Sequence, residues 1–343
     1  MPSRYDATRD DLDALLVGEP AYRVRQVWDG LHRRVVAPRD MTDLPAALRE
    51  RVDAALPGAL DPARESVSDR GDTVKWLWRL HDGALVETVL MLYSGSDDSR
   101  ERATVCVSSQ AGCAMACGFC ATGQAGFERH LTPGEIVEQV ARATVRARES
   151  ERRVTNVVLM GMGEPMANYD NVWAAVHRLH DDMGLSARHL TISTVGIVPG
   201  IRRLAADDLP VNLAVSLHAA NDELRNELVP INRRYPLAAL LQACADYVEA
   251  THRRLSFEWA LIAGVNDRGS DVTELAALAR PLGAHVNLIP LNPTPGYATP
   301  GTAAEGVRRF RDALRTLGVN ATVRQNRGTD IDAACGQLRA AAT

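Results

Sequence analysis

The sequence is poor in several features that would assign it to a common class of protein. Its 343 residues include only six Cys and 5% aromatic residues, and the formal net charge is -4. So few cysteines exclude a disulfide-rich scaffold, and the charge gives no global signature of nucleic-acid binding. At ~150 residues per domain, the length predicts about two domains.

Long apolar runs are also missing. No stretch approaches the ~18 consecutive apolar residues of a membrane-spanning helix. The first six residues, Met1 to Asp6, mix charges where a secretory signal would have an apolar run. We therefore expect a cytoplasmic protein without membrane contact, in which thiols stay reduced.

Lysine is nearly absent, since 38 of the 39 basic residues are Arg and only Lys75 is Lys. A GC-rich genome would produce this bias, but planar guanidinium groups also suit phosphates and stack on bases. Five Arg and one acid, Asp29, fall between Arg23 and Arg39, which predicts a local RNA-binding segment. A second group of arginines has a pattern that favours a solvated helix face over RNA contact. It consists of Arg308, Arg309, Arg311 and Arg315.

The chain divides into three regions by its apolar pattern. Residues 1–60 have the helical period and predict a small helical domain. Residues 61–98 predict a linker and a β-hairpin, with strands at period two on either side of a turn at 81–83. From residue 99 to 343, short apolar runs alternate with amphipathic segments, some with clear capping signals at Thr132, Asn221 and Ser270.

This alternation predicts parallel strands joined by helices, an α/β fold. Six such units fit a partial or complete βα barrel better than an open sheet. The predicted strands are 104–108, 154–160, 189–194, 211–217, 255–262 and 285–291, with a seventh candidate at 319–324.

Polar or Gly-rich residues follow five of these strands. In βα barrels the ligand chemistry lies at the carboxyl ends of the strands, so these segments are predicted to converge. They are the Cys-rich loop after the first strand, Gly161 to Pro165, Ser193-Thr194, Ser216 to His218, and Pro290 to Pro293.

Three cysteines after the first strand have the spacing of a metal site, CxxxCxxC: Cys113, Cys117 and Cys120. Three thiolates on one loop can hold a [4Fe-4S] cluster with one iron left open to a ligand. Together with Cys106 they could instead form a closed zinc site. Unrelated core thiols would have no reason to cluster at ligand spacing.

These motifs resemble the radical S-adenosylmethionine (SAM) superfamily, and within it the RlmN family of adenine carbon-2 RNA methyltransferases. The resemblance implies a (βα)6 partial barrel with the helical domain and β-hairpin as extensions. It covers the chain from Glu87 to Leu338 and is carried by the segments 106–110, 161–165, 216–219 and 330–338.

The resemblance also implies a role for each site residue. Cys113, Cys117 and Cys120 would bind the [4Fe-4S] cluster. Positions matching the SAM contacts of the family are Gly163, Glu164, Ser193, Ser216, Leu217, His218 and Asn292. The catalytic positions would be Cys335, Cys106 and Glu87. Cys244 matches none of these and is predicted to be a buried helix residue.

The implied reaction uses two SAM molecules. One methylates Cys335, and the second is reductively cleaved to a radical that abstracts hydrogen from the methyl group, which then adds to the adenine. Glu87 would remove the ring proton, and Cys106 would release the RNA by forming a transient disulfide with Cys335. The implied partners are 23S rRNA, a tRNA adenine beside the anticodon, and an electron donor such as flavodoxin with its reductase; we expect a monomer.

Two alternatives remain open from the sequence. Carbon-8 methylation of the same adenine, as in related resistance methylases, uses the same two thiols. A zinc-stabilised RNA-binding module without catalysis would have no need for Cys335.

Overall fold

Three helices form the N-terminal segment of the computed structural model, which describes residues 3–95, 101–294, 296–334 and 336–338. They are α1 (Arg9–Leu15), α2 (Tyr22–His32) and α3 (Ala46–Ala55). Their buried side chains belong to the same hydrophobic core as the barrel. Asp6 accepts hydrogen bonds from the Thr132 hydroxyl and the Gly134 amide, and so ties this segment to the start of a barrel helix.

An antiparallel extension follows the helices. The predicted hairpin is present as β2 (Thr73–Arg79) and β3 (Leu85–Tyr93), and a further strand, β1 (Asp61–Ser68), pairs with β2. Trp76 and Trp78 stack with 5.7 Å between their ring centroids. Because β3 also pairs antiparallel with the first barrel strand, the extension continues the barrel sheet.

The barrel consists of seven parallel strands, the six predicted and the seventh candidate. Together with the extension they form one ten-stranded sheet in the order β1-β2-β3-β4-β7-β8-β9-β10-β11-β12. The partial βα barrel and mixed sheet confirm the predicted fold class. The barrel strands are β4 (Arg102–Cys106), β7 (Val154–Leu159), β8 (Leu190–Thr194), β9 (Asn212–Ser216), β10 (Leu255–Leu261), β11 (His285–Pro290) and β12 (Ala321–Val323).

Helices alternate with these strands, and a small separate sheet of β5 (Gln110–Gly112) and β6 (Phe127–His130) flanks the first of them. Thr132 and Asn221 cap their helices as predicted. Ser270 does not, because its helix begins at Gly269 and Arg268 occupies the N-cap position. The helices are α4 (Ala121–Ala125), α5 (Pro133–Glu149), α6 (Tyr169–His177), α7 (Val198–Ala206), α8 (Asp222–Leu228), α9 (Leu237–Thr251), α10 (Gly269–Ala279) and α11 (Ala304–Thr316).

The segment after β12 spans the gap between the two edges of the sheet. Ser68 at the end of β1 donates a hydrogen bond to Asp330, and Lys75 in β2 donates to the Asp332 carbonyl at 3.3 Å. The predicted region boundary at 98/99 lies outside the described residues. None of the helices in the described ranges is both long and apolar enough to span a bilayer.

Candidate active site

One cavity at the carboxyl ends of the barrel strands brings together most of the predicted site residues. It contains about 1080 Å³ of empty space, its open mouth included. Parallel strands end at the same edge of a sheet, which explains why loops far apart in sequence meet here. Nine predicted residues line it: Cys113, Cys117, Cys120, Gly163, Glu164, Ser193, Ser216, His218 and Asn292.

The cysteine loop is held at both ends by backbone hydrogen bonds. The Cys113 amide donates to the Gly126 carbonyl at 2.6 Å, and the Cys120 amide donates to the Cys117 carbonyl at 3.1 Å. Gly112 has φ 70°, and a Cβ there would lie 2.0 Å from the Gly126 oxygen. Only glycine therefore allows the two arms of the loop to approach this closely.

The three thiols suit a metal cluster in their chemistry. Burial raises the pKa of Cys113 to about 12 and also raises the pKa of Cys117, and the neighbouring Cys120 adds to both shifts. Such thiols are neutral until a metal cation displaces the protons. In the described ranges no three His, Cys, Asp or Glu side chains converge on a single metal ion. A cube does not require this convergence, because each thiolate binds a different iron.

Cys106 is separated from this loop. It ends β4 and lines a second, smaller cavity together with Met160, Arg324, Ala333 and Ala334. A four-cysteine zinc site would need Cys106 beside the other three thiols, so the arrangement gives no support to the zinc alternative.

Glu164 is fixed by the loop after β7. Its carboxylate accepts hydrogen bonds from the Met166 amide at 3.0 Å and the Val195 amide at 2.8 Å. Burial raises its pKa to about 7, although these hydrogen bonds act in the opposite direction. The preceding Gly163 has φ 102°, and a Cβ there would lie 2.6 Å from Gln110.

His218 lines the cavity as a neutral imidazole. Its Nδ1 accepts a hydrogen bond from the Ala260 amide at 3.0 Å, which leaves the ring proton on Nε2. Burial, with a smaller contribution from nearby Arg225, lowers the pKa of His218 to about 3. The side chain is therefore a hydrogen-bond donor at neutral pH and carries no charge.

Arg225 supports the site, although the sequence analysis did not identify it. The side chain is fully buried and donates to the carbonyls of Val195, Ser216 and Leu217 at 2.6 to 3.2 Å. It thereby joins the loops after β8 and β9. Leu217 does not line the cavity, and its amide donates to the Glu258 carbonyl at 3.0 Å, so the structure does not bring it to the other predicted SAM contacts. No local pattern around Arg225 distinguishes it from a surface arginine of α8.

Glu87 lies in β3, outside the main cavity. It is 4% exposed, and its carboxylate lies 3.2 Å from Lys75 Nζ. Ser108 connects it to the site: the Ser108 hydroxyl donates to the Glu87 carbonyl at 2.6 Å and accepts from the Met162 amide at 3.0 Å. The 106–110 motif thus braces β3 against the loop that carries Glu164.

Cys335 lies outside the described residues. Its described neighbours contact both cavities, since Ala334 lines the one with Cys106 and Gly336 lines the one with the cysteine loop. The Gly336 carbonyl accepts a hydrogen bond from the Ala121 amide at 2.8 Å, directly after Cys120. Cys244 is fully buried in α9, as predicted.

Acidic side chains lie beside several arginines proposed for RNA contact. Arg34 pairs with Asp43 at 2.9 Å, and Arg39 pairs with Asp53 at 3.2 Å. On α11, Arg308 pairs with Glu305 at 2.7 Å. Much of the positive charge of these two segments is therefore neutralised within the protein.

Comparisons with known proteins agree with this site. The model of the radical SAM superfamily matches residues 107–278. "Dual-specificity RNA methyltransferase RlmN 1" of Myxococcus xanthus is 51% identical over 342 residues, which cover 98% of this chain and 94% of that protein. "Probable dual-specificity RNA methyltransferase RlmN" of Salinispora tropica is 52% identical over 336 residues, covering 95% of this chain and 89% of that protein.

A solved structure extends the similarity to the whole fold. The crystal structure of a radical SAM methyltransferase from Sphaerobacter thermophilus matches with a TM-score of 0.93 and 50% sequence identity. The match covers 99% of this chain and 100% of the other. The chain therefore belongs to the RlmN family of the radical SAM superfamily.

Proposed function

We propose that this protein methylates carbon 2 of an adenine in the peptidyl-transferase region of 23S rRNA, and of a tRNA adenine beside the anticodon. The observation that carries the proposal is the convergence of three cysteines and six further predicted contact residues on one cavity, in a member of the RlmN family. Carbon 2 of adenine has no lone pair to displace a methyl group, so the reaction needs radical chemistry supplied by a cofactor.

Cys113, Cys117 and Cys120 would hold a [4Fe-4S] cluster, and the opposite lining of the cavity would hold SAM. The cluster supplies the electron that cleaves SAM reductively. Glu164 and His218 offer a carboxylate and a neutral donor to the amino and carboxylate ends of SAM. Ser193, Ser216 and Asn292 add short polar groups, and Gly163 contributes its backbone.

Two thiols would carry the methyl group and release the product. The Cys335 thiolate would take a methyl group from one SAM by displacement, with S-adenosylhomocysteine leaving. After hydrogen abstraction and addition to the base, a methylene group would join the Cys335 sulfur to the RNA. The Cys106 thiolate would then attack the Cys335 sulfur, so that the S–S bond forms as the bond between sulfur and methylene breaks and the electron pair leaves with the base. The contacts of Ala334 and Gly336 support this assignment, because the chain on either side of Cys335 borders the cavity of each partner.

Glu87 would accept the proton from the substituted ring carbon. A proton acceptor must be held in place, and the ion pair with Lys75 together with the Ser108 brace provides this condition. Residues 1–60 would serve as an accessory RNA-binding unit beside the extension at 61–98 and the catalytic unit at 99–343. Flavodoxin with its reductase would supply the electrons.

Iron content tests the assignment of the cluster. Anaerobically purified protein is expected to be brown, with about four iron atoms per chain, the content of one [4Fe-4S] cube. Cys113→Ala and Cys117→Ala should lose this iron, whereas Cys244→Ala should retain it, because Cys244 is buried in α9. Colourless protein with one zinc, or iron that survives the loop substitutions, would contradict the proposal.

A further inference from the structure

A second large cavity lies at the opposite end of the barrel from the cysteine loop. It contains about 1480 Å³ of empty space, its open mouth included, and its lining comes largely from the amino ends of the strands. Arg102, Asn212 and His285 are the first residues of their strands, and Arg188 and Arg254 lie just before theirs. The proposed cofactor site, in contrast, is formed by the carboxyl ends.

The inner wall of this cavity is partly polar, whereas a closed barrel has an apolar interior. Closed βα barrels fill their interior with bulky branched side chains. Here small or polar side chains occupy the inward positions, at alternate residues along each strand, and leave an open lumen. They include Thr104, Asn156, Thr191, Asn212, Ala214, Ser256 and Asn287.

The lumen adjoins the proposed site of chemistry. Met160, Glu258 and Arg324 line both this cavity and the one beside the cysteine loop. Glu258 lies four residues beyond Arg254 along β10, a distance of about 13 Å. Its carboxylate accepts hydrogen bonds from Ser256 and Asn287 at 2.8 and 2.7 Å, and it is the one acidic side chain in the described lining.

Three exposed arginines surround the open end: Arg102, Arg188 and Arg254, which we call the mouth arginines. Within the described ranges none of them forms an ion pair with a carboxylate, in contrast to Arg34, Arg39 and Arg308. The Arg102 guanidinium stacks on Tyr93, with its central carbon 4.2 Å from the ring centroid. Positive side chains around one opening repel one another, and an anionic ligand would reduce this cost.

We propose that a single RNA nucleotide enters the barrel through this mouth, and that the mouth arginines bind phosphates of the nucleotides beside it. The inference rests on the proposed function and adds the direction of approach of the RNA. A base inside a duplex cannot enter such a lumen, so the target adenine must be unpaired or flipped out, as in other enzymes that modify bases. A separate cavity lined by Arg33, Arg148 and Arg153 adds a basic surface where the helical segment meets α5.

The test compares two triple variants with the same change in charge. One replaces the mouth arginines (Arg102→Gln, Arg188→Gln, Arg254→Gln), and the control replaces Arg308, Arg309 and Arg311 on α11, whose side chains pair with Glu305 and Asp312. The readouts on the cluster-loaded protein are the Kd for an rRNA fragment from 50 to 200 mM salt, and KM for the same RNA.

The mouth variant is expected to raise the Kd and KM roughly tenfold or more, and to lower the slope of log Kd against log salt by about 2, at ~0.7 per lost phosphate contact. SAM binding and iron content should be unchanged. If both triple variants bind RNA equally, or if the mouth variant binds like the wild type, the inference is wrong. If the wild-type protein binds the fragment but makes no methyladenine, the proposed function fails instead.

A second variant tests the lumen itself. Thr322→Trp places a bulky ring at an exposed position of the cavity wall. RNA methylation should fall at least tenfold while iron content and SAM binding stay at the wild-type level. Full methylation by this variant would show that the RNA approaches by another route.

Discussion

Lys75, the only lysine in the chain, has two contacts that involve the proposed active site. Its ammonium group lies 3.2 Å from the Glu87 carboxylate and donates to the Asp332 carbonyl at 3.3 Å, three residues before Cys335. A compact ammonium group bridges the two oxygens, whereas a planar guanidinium fork would keep the charge but place its donors differently. Lys75 is therefore placed to orient Glu87 relative to the C-terminal segment.

Replacing Lys75 should affect the rate more than binding. For Lys75→Met we expect kcat to fall roughly 10- to 100-fold, since a misplaced general base loses much of its contribution. The Kd for SAM should be unchanged, because Lys75 does not line the cofactor cavity. Lys75→Arg should restore part of the rate. Equal losses in kcat for both variants would argue against a positioning role.

Cys106 is expected to act only at product release. Cys106→Ala should therefore accumulate a covalent adduct between Cys335 and the RNA, visible as a band that resists denaturation and locates to Cys335 by mass spectrometry. Cys244→Ala is the matched control, because this thiol is buried in α9. Normal turnover by Cys106→Ala would remove Cys106 from the mechanism.

His32 makes the stability of the helical segment depend on pH. It is fully buried against Trp28, and burial lowers its pKa from 6.5 to about 4. Between pH 6.5 and 4 the unfolded chain binds a proton at His32 that the folded chain does not. The folded state is therefore most stable above pH 6.5 and loses stability as the pH falls towards 4.

Removing this titration should flatten the pH profile. Between pH 7.5 and 5.5, wild type should lose roughly 1 kcal/mol more unfolding free energy than His32→Leu. Urea unfolding at the two pH values measures the difference. An identical pH dependence in both proteins would contradict the cause assigned to the shift.

At the scale of elements, the buried Arg225 side chain holds together the loops after β8 and β9, which are separate in the sequence. Arg225→Met would leave the carbonyls of Val195, Ser216 and Leu217 without this buried donor. We expect a loss of about 3 kcal/mol in unfolding free energy and a Kd for SAM raised at least tenfold.

Arg308→Met on α11 serves as the control for Arg225→Met, because its side chain is exposed and pairs with Glu305 on the surface of the same helix. It should change neither quantity. A destabilised Arg225→Met protein with normal SAM affinity would limit Arg225 to a structural role.

The elements that the sequence could not predict have little apolar patterning. β1 is a mostly exposed edge strand whose single large apolar residue, Val67, is 46% exposed, so no alternation marks it. β5 and β6 have three and four residues, too few to show a period. The buried barrel strands, in contrast, appear as apolar runs, and their predicted bounds lie within two residues of those observed.

At the scale of the whole molecule, the sequence predicts the cofactor cavity but not the open end of the barrel with the mouth arginines. Each segment of the cofactor site has a local motif, and one topological rule brings them together. The mouth arginines come from three separate connections with no shared motif. They lie around one opening because the sheet curves, with the C-terminal segment spanning the gap between β12 and β1.

The identity of the methylated base tests the proposed function most directly. An unmodified rRNA fragment is incubated with cluster-loaded protein, SAM and a reductant, then digested to nucleosides for mass spectrometry against synthetic standards. We predict 2-methyladenosine at one position, absent when Cys335→Ala replaces the wild type. Formation of 8-methyladenosine, or of no methyladenosine by protein with a full complement of iron, would contradict the assignment.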